Sequence, residues 1–240
     1  MKIKEIYQFL DSLSPFELQE KWDNSGLIVG NIEDEFENIY ISLDLDLDMV
    51  AKVEPKSLII THHPLIFSPI KSLNDDRYAT KILKILIKKD IALLSIHTNF
   101  DKTHLNSYVG DTILGFDFQK TDDFILTAQV DMSFEELLQH LKKKLNISTL
   151  KVTQSKNNIK SLSLTTGSGM SLLPLIKSDC FITGDIKYHE AMEAKALGIS
   201  LVDIGHFESE IHFCTLLKSL LENYLKKNNK KAFSVIEVII

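Results

Sequence analysis

The sequence predicts an α/β fold with largely parallel sheets, on three observations. The apolar runs Leu58–Ile60, Ile91–Ile96 and Ile199–Ile204 are continuous rather than alternating, which is the pattern of strands covered on both faces. Segments of helical period separate them, as parallel crossover units require. Each run also ends in histidine: His62 and His63, then His97, then His206. In open α/β sheets that C-terminal edge is where ligands bind, because the loops there converge on a crevice.

Composition sets the class. The 240 residues are long enough to bury a substantial core, and 44% hydrophobic with 25% charged residues is an ordinary globular balance. A net charge of -6 repels phosphate backbones and anionic lipid, so nucleic-acid binding is disfavoured as the main task. Cys180 and Cys214 lack metal or redox spacing and sit in apolar surroundings, as small buried hydrophobes do. The charged, amphipathic N-terminus is unlike a signal peptide, and no stretch is apolar enough to span a bilayer. A soluble cytoplasmic protein is expected.

In chain order, Ile3, Ile6, Phe9, Leu10 and Leu13 recur at helical spacing, and Ser14-Pro15 opens a short second helix to Lys21. In "WDNSGLIVG" a turn of Asp23 to Gly26 leads into a strand, Leu27–Val29. Trp22 is either a core anchor or the start of a turn lining a pocket. A strand over 39–43 ends in Asp44, which is placed to face the crevice, and Asp46 or Asp48 caps the next helix. These three aspartates lack the glycine and distal glutamate of a calcium loop.

The histidine strand follows, then a helix from about Arg77 to Lys88. Pro64 stops the strand just after His63 and favours an extended backbone there. The strand 91–96 delivers His97 and, four residues on, Asp101. The polar stretch Asp117 to Asp123 marks a boundary, giving domains over 1–122 and 123–240. Ser133 and Glu136 form a capping box for the next helix. The glycine-rich "TTGSGM" lacks a full phosphate-binding pattern and reads as a tight turn before a helical run over 171–177. Asp185 and His189 share a helix face by their spacing, and His206 and Glu210, four apart, share the first turn of a helix running toward Leu225.

Strand ends thus supply His62, His63, Asp101, His206 and Glu210. Three imidazoles and two carboxylates suffice for two divalent ions with open positions. Each part alone has a plainer account, since a histidine pair at a strand end also serves as a polar turn and a lone His97 is commonly structural. The donor set without thiolate suits zinc, iron, manganese, nickel or cobalt.

The stretches "WDNSGLIVG", "ITHHPLIF", "IHTNFD", "TGDIKYHEA" and "DIGHFESE", in this order and spacing, resemble the GTP cyclohydrolase I type 2 homologue family, the Nif-three-like proteins. The similarity runs over nearly the whole chain. It implies a subunit of two similar α/β domains with a dinuclear metal site in the cleft between them, assembled as a toroidal homohexamer. It also implies His62, His63, Asp101, His206 and Glu210 as the ligands. The direct passage after Asp123 matches short members without an inserted middle domain. One departure is Thr103-His104-Leu105, where the family pattern has a small, glycine-rich turn.

The implied activity is hydrolysis of GTP to dihydroneopterin triphosphate and formate, with His97 and His189 as candidates for proton transfer or for orienting the ligands. Two alternatives fit the same residues: a two-metal phosphoester or amide hydrolase, and a metal-binding interaction or metal-handling module without turnover.

Overall fold

The computed structural model describes residues 1–230 and 235–238. The chain gathers into two compact units, Met1–Phe100 with Phe213–Ile240 and Asp101–His212. The units therefore part at Phe100/Asp101, and the C-terminal segment returns to the first. The polar stretch that suggests a boundary at 122/123 is instead a hairpin turn within the second unit, closed by Thr121 N–H donating to the Ile125 carbonyl at 2.9 Å. Turn chemistry and linker chemistry use the same polar residues, and sequence alone does not separate them.

In the first unit, strands β1 (Gly26–Val29), β2 (Asn38–Ser42), β3 (Ser57–Thr61), β4 (Ala92–Ser95) and β11 (Val235–Val238) form one sheet in the order β1-β4-β3-β2-β11. All pairings are parallel except that of the edge strand β1 with β4. Every residue of β3 and β4 is buried, as their unbroken apolar runs require. Helix α1 (Ile3–Leu13) buries Ile3, Ile6 and Leu10. The expected second helix shortens to one 3-10 turn, Phe16–Leu18.

Helix α2 (Leu47–Lys52) links β2 to β3, and α3 (Tyr78–Lys89) links β3 to β4. Asp46, not Asp48, is the cap of α2, its carboxylate accepting from Met49 N–H at 2.7 Å. At the end of α3, Lys89 Nζ donates to the carbonyls of Val50, Ala51 and Val53 at 2.6 to 3.1 Å, satisfying the last turn of α2. The C-terminal helix α8 (His212–Lys227) buries Phe213, Cys214, Leu217, Leu221 and Leu225. Its Tyr224 stacks on Phe9 of α1, with ring centroids 4.3 Å apart.

The chain leaves the first unit through a short helix, α4 (Thr98–Phe100), that continues as wide π-type turns over Asp101–Leu105 and Tyr108–Leu114. In the second unit, β5 (Gln119–Lys120), β6 (Leu126–Ser133), β7 (Lys151–Thr153), β8 (Asn158–Leu164), β9 (Cys180–Thr183) and β10 (Ser200–Asp203) form a sheet in the order β5-β6-β8-β9-β10-β7. Only β8/β9 and β9/β10 are parallel. This sheet is mixed, which corrects the expectation of largely parallel strands in both domains. The reason is visible in β6, whose partly alternating burial suits a strand in antiparallel pairing with one open face.

Helix α5 (Phe134–Leu145) carries the expected capping box, with Glu136 N–H on Ser133 Oγ at 3.2 Å and Ser133 N–H on Glu136 Oε2 at 2.8 Å. The glycine-rich run is a tight turn into a 3-10 segment, Met170–Leu175. Helix α6 (Tyr188–Ala196) starts later than the spacing of Asp185 and His189 suggests. Asp185 lies outside it, in a left-handed conformation with φ 58°, so the two residues do not share a helix face. Helix α7 (His206–Glu210) ends at Ile211, which separates it from α8.

Candidate metal centre

The first unit presents His62, His63 and His97 as one cluster. One ligand-type nitrogen from each lies within 4.8 Å of the others. The parallel ladder runs on past the named strands to hold them there: His62 N–H donates to the Ser42 carbonyl at 3.3 Å, His63 N–H to Leu43 at 3.1 Å, and Ile96 N–H to Thr61 at 3.0 Å. Thr61 Oγ1 closes the turn by donating to the His63 carbonyl at 2.8 Å while accepting from Ser95 Oγ at 2.9 Å. His62 is fully buried, with Phe213 packed on its ring at 4.8 Å.

Each ring has its Nδ1 committed to an oxygen. His62 Nδ1–H donates to the Ile96 carbonyl at 3.1 Å, His63 Nδ1–H to Asp44 Oδ2 at 3.0 Å, and His97 Nδ1–H to Asp23 Oδ1 at 2.9 Å. A carbonyl or carboxylate only accepts, so the hydrogen sits on Nδ1 and the neutral ring keeps its lone pair on Nε2. That tautomer is the one a metal-binding histidine needs, and the oxygen behind it makes the ring a better donor. Asp44 thus sits beside His63, as its place after β2 suggests.

Asp23 is the partner that sequence reading did not find. It lies 74 residues from His97, and no local pattern ties the two. Its carboxylate also accepts from Asn24 N–H, Ser25 Oγ, Thr98 N–H and Thr98 Oγ1 at 2.5 to 3.2 Å. Burial by itself would raise the Asp23 pKa, yet the His97 ring and these donors outweigh it and hold the carboxyl well below the usual range. Trp22, next in line, is 60% exposed and is no core anchor.

The second unit presents His206 and Glu210. His206 opens α7, and its Nε2 stands 3.0 Å from Glu210 Oε2, as the four-residue spacing requires. Its Nδ1–H donates to Asp185 Oδ2 at 2.7 Å, so this ring is held between two carboxylates. Asp203, at the end of β10, accepts from Gly205 N–H at 3.0 Å and Ile186 N–H at 3.2 Å, fixing both turns that make this contact. Two glycines clear the space. A Cβ at Gly167, where φ is +63°, would collide with the Glu210 carboxylate, and one at Gly184 would lie 2.7 Å from His206 N.

Asp101 is buried at the start of the π-type turn. His189 is exposed in the first turn of α6 against the Tyr188 ring and joins none of the His, Asp and Glu clusters among the described residues. No helix among the described residues is long and apolar enough to cross a membrane. The donor chemistry fits borderline divalent ions: imidazole nitrogens with committed Nδ1 atoms, nearby carboxylates and no thiolate.

Comparison with known proteins places the whole chain. The chain is 47% identical over 224 residues to the GTP cyclohydrolase 1 type 2 homolog of Campylobacter jejuni, covering 93% of both chains. It is 45% identical to the GTP cyclohydrolase 1 type 2 of Helicobacter pylori, covering 92% of both. The crystal structure of Staphylococcus aureus protein SA1388 superposes with a TM-score of 0.88 at 27% identity, over 100% of this chain and 97% of that one. The model of the family Duf34/NIF3 (NGG1p interacting factor 3) matches residues 1–239, and the chain belongs to that family.

Proposed function

We propose that this protein is a dinuclear metal-dependent hydrolase of the GTP cyclohydrolase type. The observation that carries the reading is the shared anchoring of four strand-end histidines, each of which holds its Nδ1 on a carbonyl or carboxylate oxygen. His62, His63, Asp101, His206 and Glu210 would hold two divalent ions. Glu210 is the bridging candidate, since a carboxylate has two oxygens to share. Ions bound there supply Lewis acidity and bring the pKa of water toward neutrality.

The chain's own residues have distinct tasks in this reading. Asp44, Asp185 and the Ile96 carbonyl orient the ligating rings. His97, locked by Asp23, is the proton-transfer candidate, its Nε2 available to take a proton from water or return one to a leaving nitrogen. His189 is exposed and joins none of the clusters among the described residues, so the role is assigned to His97. The substrate is a small molecule, GTP, opened at the purine imidazole ring with loss of formate. The assembly is a homohexamer, for which light scattering should give a six-subunit mass.

The test is metal analysis and formate release from GTP, wild type beside His63→Ala. Wild type should carry about two ions per subunit and release formate, and the variant should lose both. Metal without turnover would move the function to another substrate of the two-metal class or to metal handling.

A further inference from the structure

Two large aromatic side chains stand exposed at the histidine cluster. Trp22 is 60% exposed and Phe67 48%, unlike the buried aromatics Phe100 and Phe213 behind His62. Both meet His97: ring centroids lie 5.9 Å from Trp22 and 5.8 Å from Phe67, with interplanar angles of 73° and 77°. A near-perpendicular contact covers only a small part of each ring, which leaves apolar surface in water beside a polar cluster. Exposed aromatic side chains that converge on a polar cluster are candidates for a binding surface.

The segments that carry the two rings are also tied together. Asn24 Nδ2–H donates to the Ile66 carbonyl at 2.7 Å, tying the turn that carries Trp22 to the loop that carries Phe67. The residue after Trp22 is Asp23, fixed by its five donors. Two exposed aromatic rings that both meet His97 suit a planar ligand whose reacting atom must sit near that ring. An aliphatic amide or simple phosphoester has no flat face to fill it.

We propose that Trp22 and Phe67 form the subsite that stacks a purine base, placing its ring beside His97. This rests on the cyclohydrolase reading for the chemistry, though base binding is separable from turnover. Stacking on aromatic side chains is tolerant of base identity, so guanosine and adenosine are both expected to bind without phosphates. Trp22 is the single tryptophan of the chain, so its fluorescence reports this subsite directly.

The experiment titrates metal-loaded protein with guanosine, GTP and inorganic tripolyphosphate, following Trp22 emission. Saturable quenching by guanosine and GTP, with none by tripolyphosphate, is the expected result. Phe67→Ala should weaken guanosine binding about tenfold or more by the same signal. Calorimetry should give a similar loss for Trp22→Ala and much less for Trp22→Phe. Unchanged guanosine affinity in both alanine variants, or equal quenching by tripolyphosphate, would overturn the subsite. Guanosine binding that depends on both rings, with no formate from GTP, would keep the subsite and refute the cyclohydrolase reading. Formate release with an unaltered KM in Trp22→Ala would do the reverse.

Discussion

Asp23 illustrates how a buried carboxylate acts through another residue. It touches His97 Nδ1 at 2.9 Å and fixes which nitrogen carries the hydrogen. Asp23→Asn keeps the volume but turns an acceptor into a mixed amide, so the ring loses its fixed tautomer. A drop of about 10- to 100-fold in formate release with bound metal unchanged is expected, with steady-state kinetics and metal analysis as the readouts. Gly167 works by absence. Gly167→Ala adds a methyl group into the Glu210 carboxylate at a φ of +63°, and should cost about 1–3 kcal/mol of stability while lowering bound metal. Thermal melts and metal analysis on the same sample check both parts, and full metal occupancy in the variant would refute the steric account.

At the scale of elements, strand ends are placed by ionic and capping contacts as much as by the ladder. Asp179, just before β9, pairs with Lys156 and accepts from Lys160 N–H at 2.8 Å, so the start of β9 is fastened to β8. The Lys156 hydrogen bond, against a smaller burial effect, lowers the Asp179 pKa. A folded pKa below the unfolded one contributes stability above the unfolded value of about 3.8, lost as pH falls through the folded value. Asp179→Asn should therefore lower Tm near pH 7 and match wild type in strong acid; an equal difference at both pH values would contradict this. The pair is partly exposed, so the effect is small.

The glycine-rich turn and the expected helix over 171–177 show how element type is decided by contact. Gly169 packs where a Cβ would lie 2.7 Å from Thr183 Oγ1, and its N–H donates to that hydroxyl at 2.9 Å. Pro174 then limits the helix to a 3-10 segment. The glycines thus serve strand packing next to Glu210 rather than a phosphate cradle.

For the whole molecule, the return of α8 to the first unit has a consequence for fragments. Phe213 is fully buried against His62 and Phe100, and Leu217, Leu221 and Leu225 extend that apolar face. Removing the segment after His212 strips a core layer, where a single Phe→Ala change already costs about 3–5 kcal/mol. A chain ending at Phe100 should fail to melt cooperatively by circular dichroism. The continuous segment Asp101–His212 carries its own sheet and should keep a cooperative transition.

Sequence by itself determined the α/β class, the buried strands, the capping box at Ser133 and the positions of the strand-end histidines, because continuous apolar runs and local caps are short-range properties. It also carried the family resemblance through its ordered motifs. Tertiary structure alone decided the mixed second sheet, the return of the C-terminal helix, the exposure of Trp22 and the pairing of Asp23 with His97. These depend on contacts between residues far apart in the chain, and no local spacing encodes which polar residue closes on which strand end once the chain has folded.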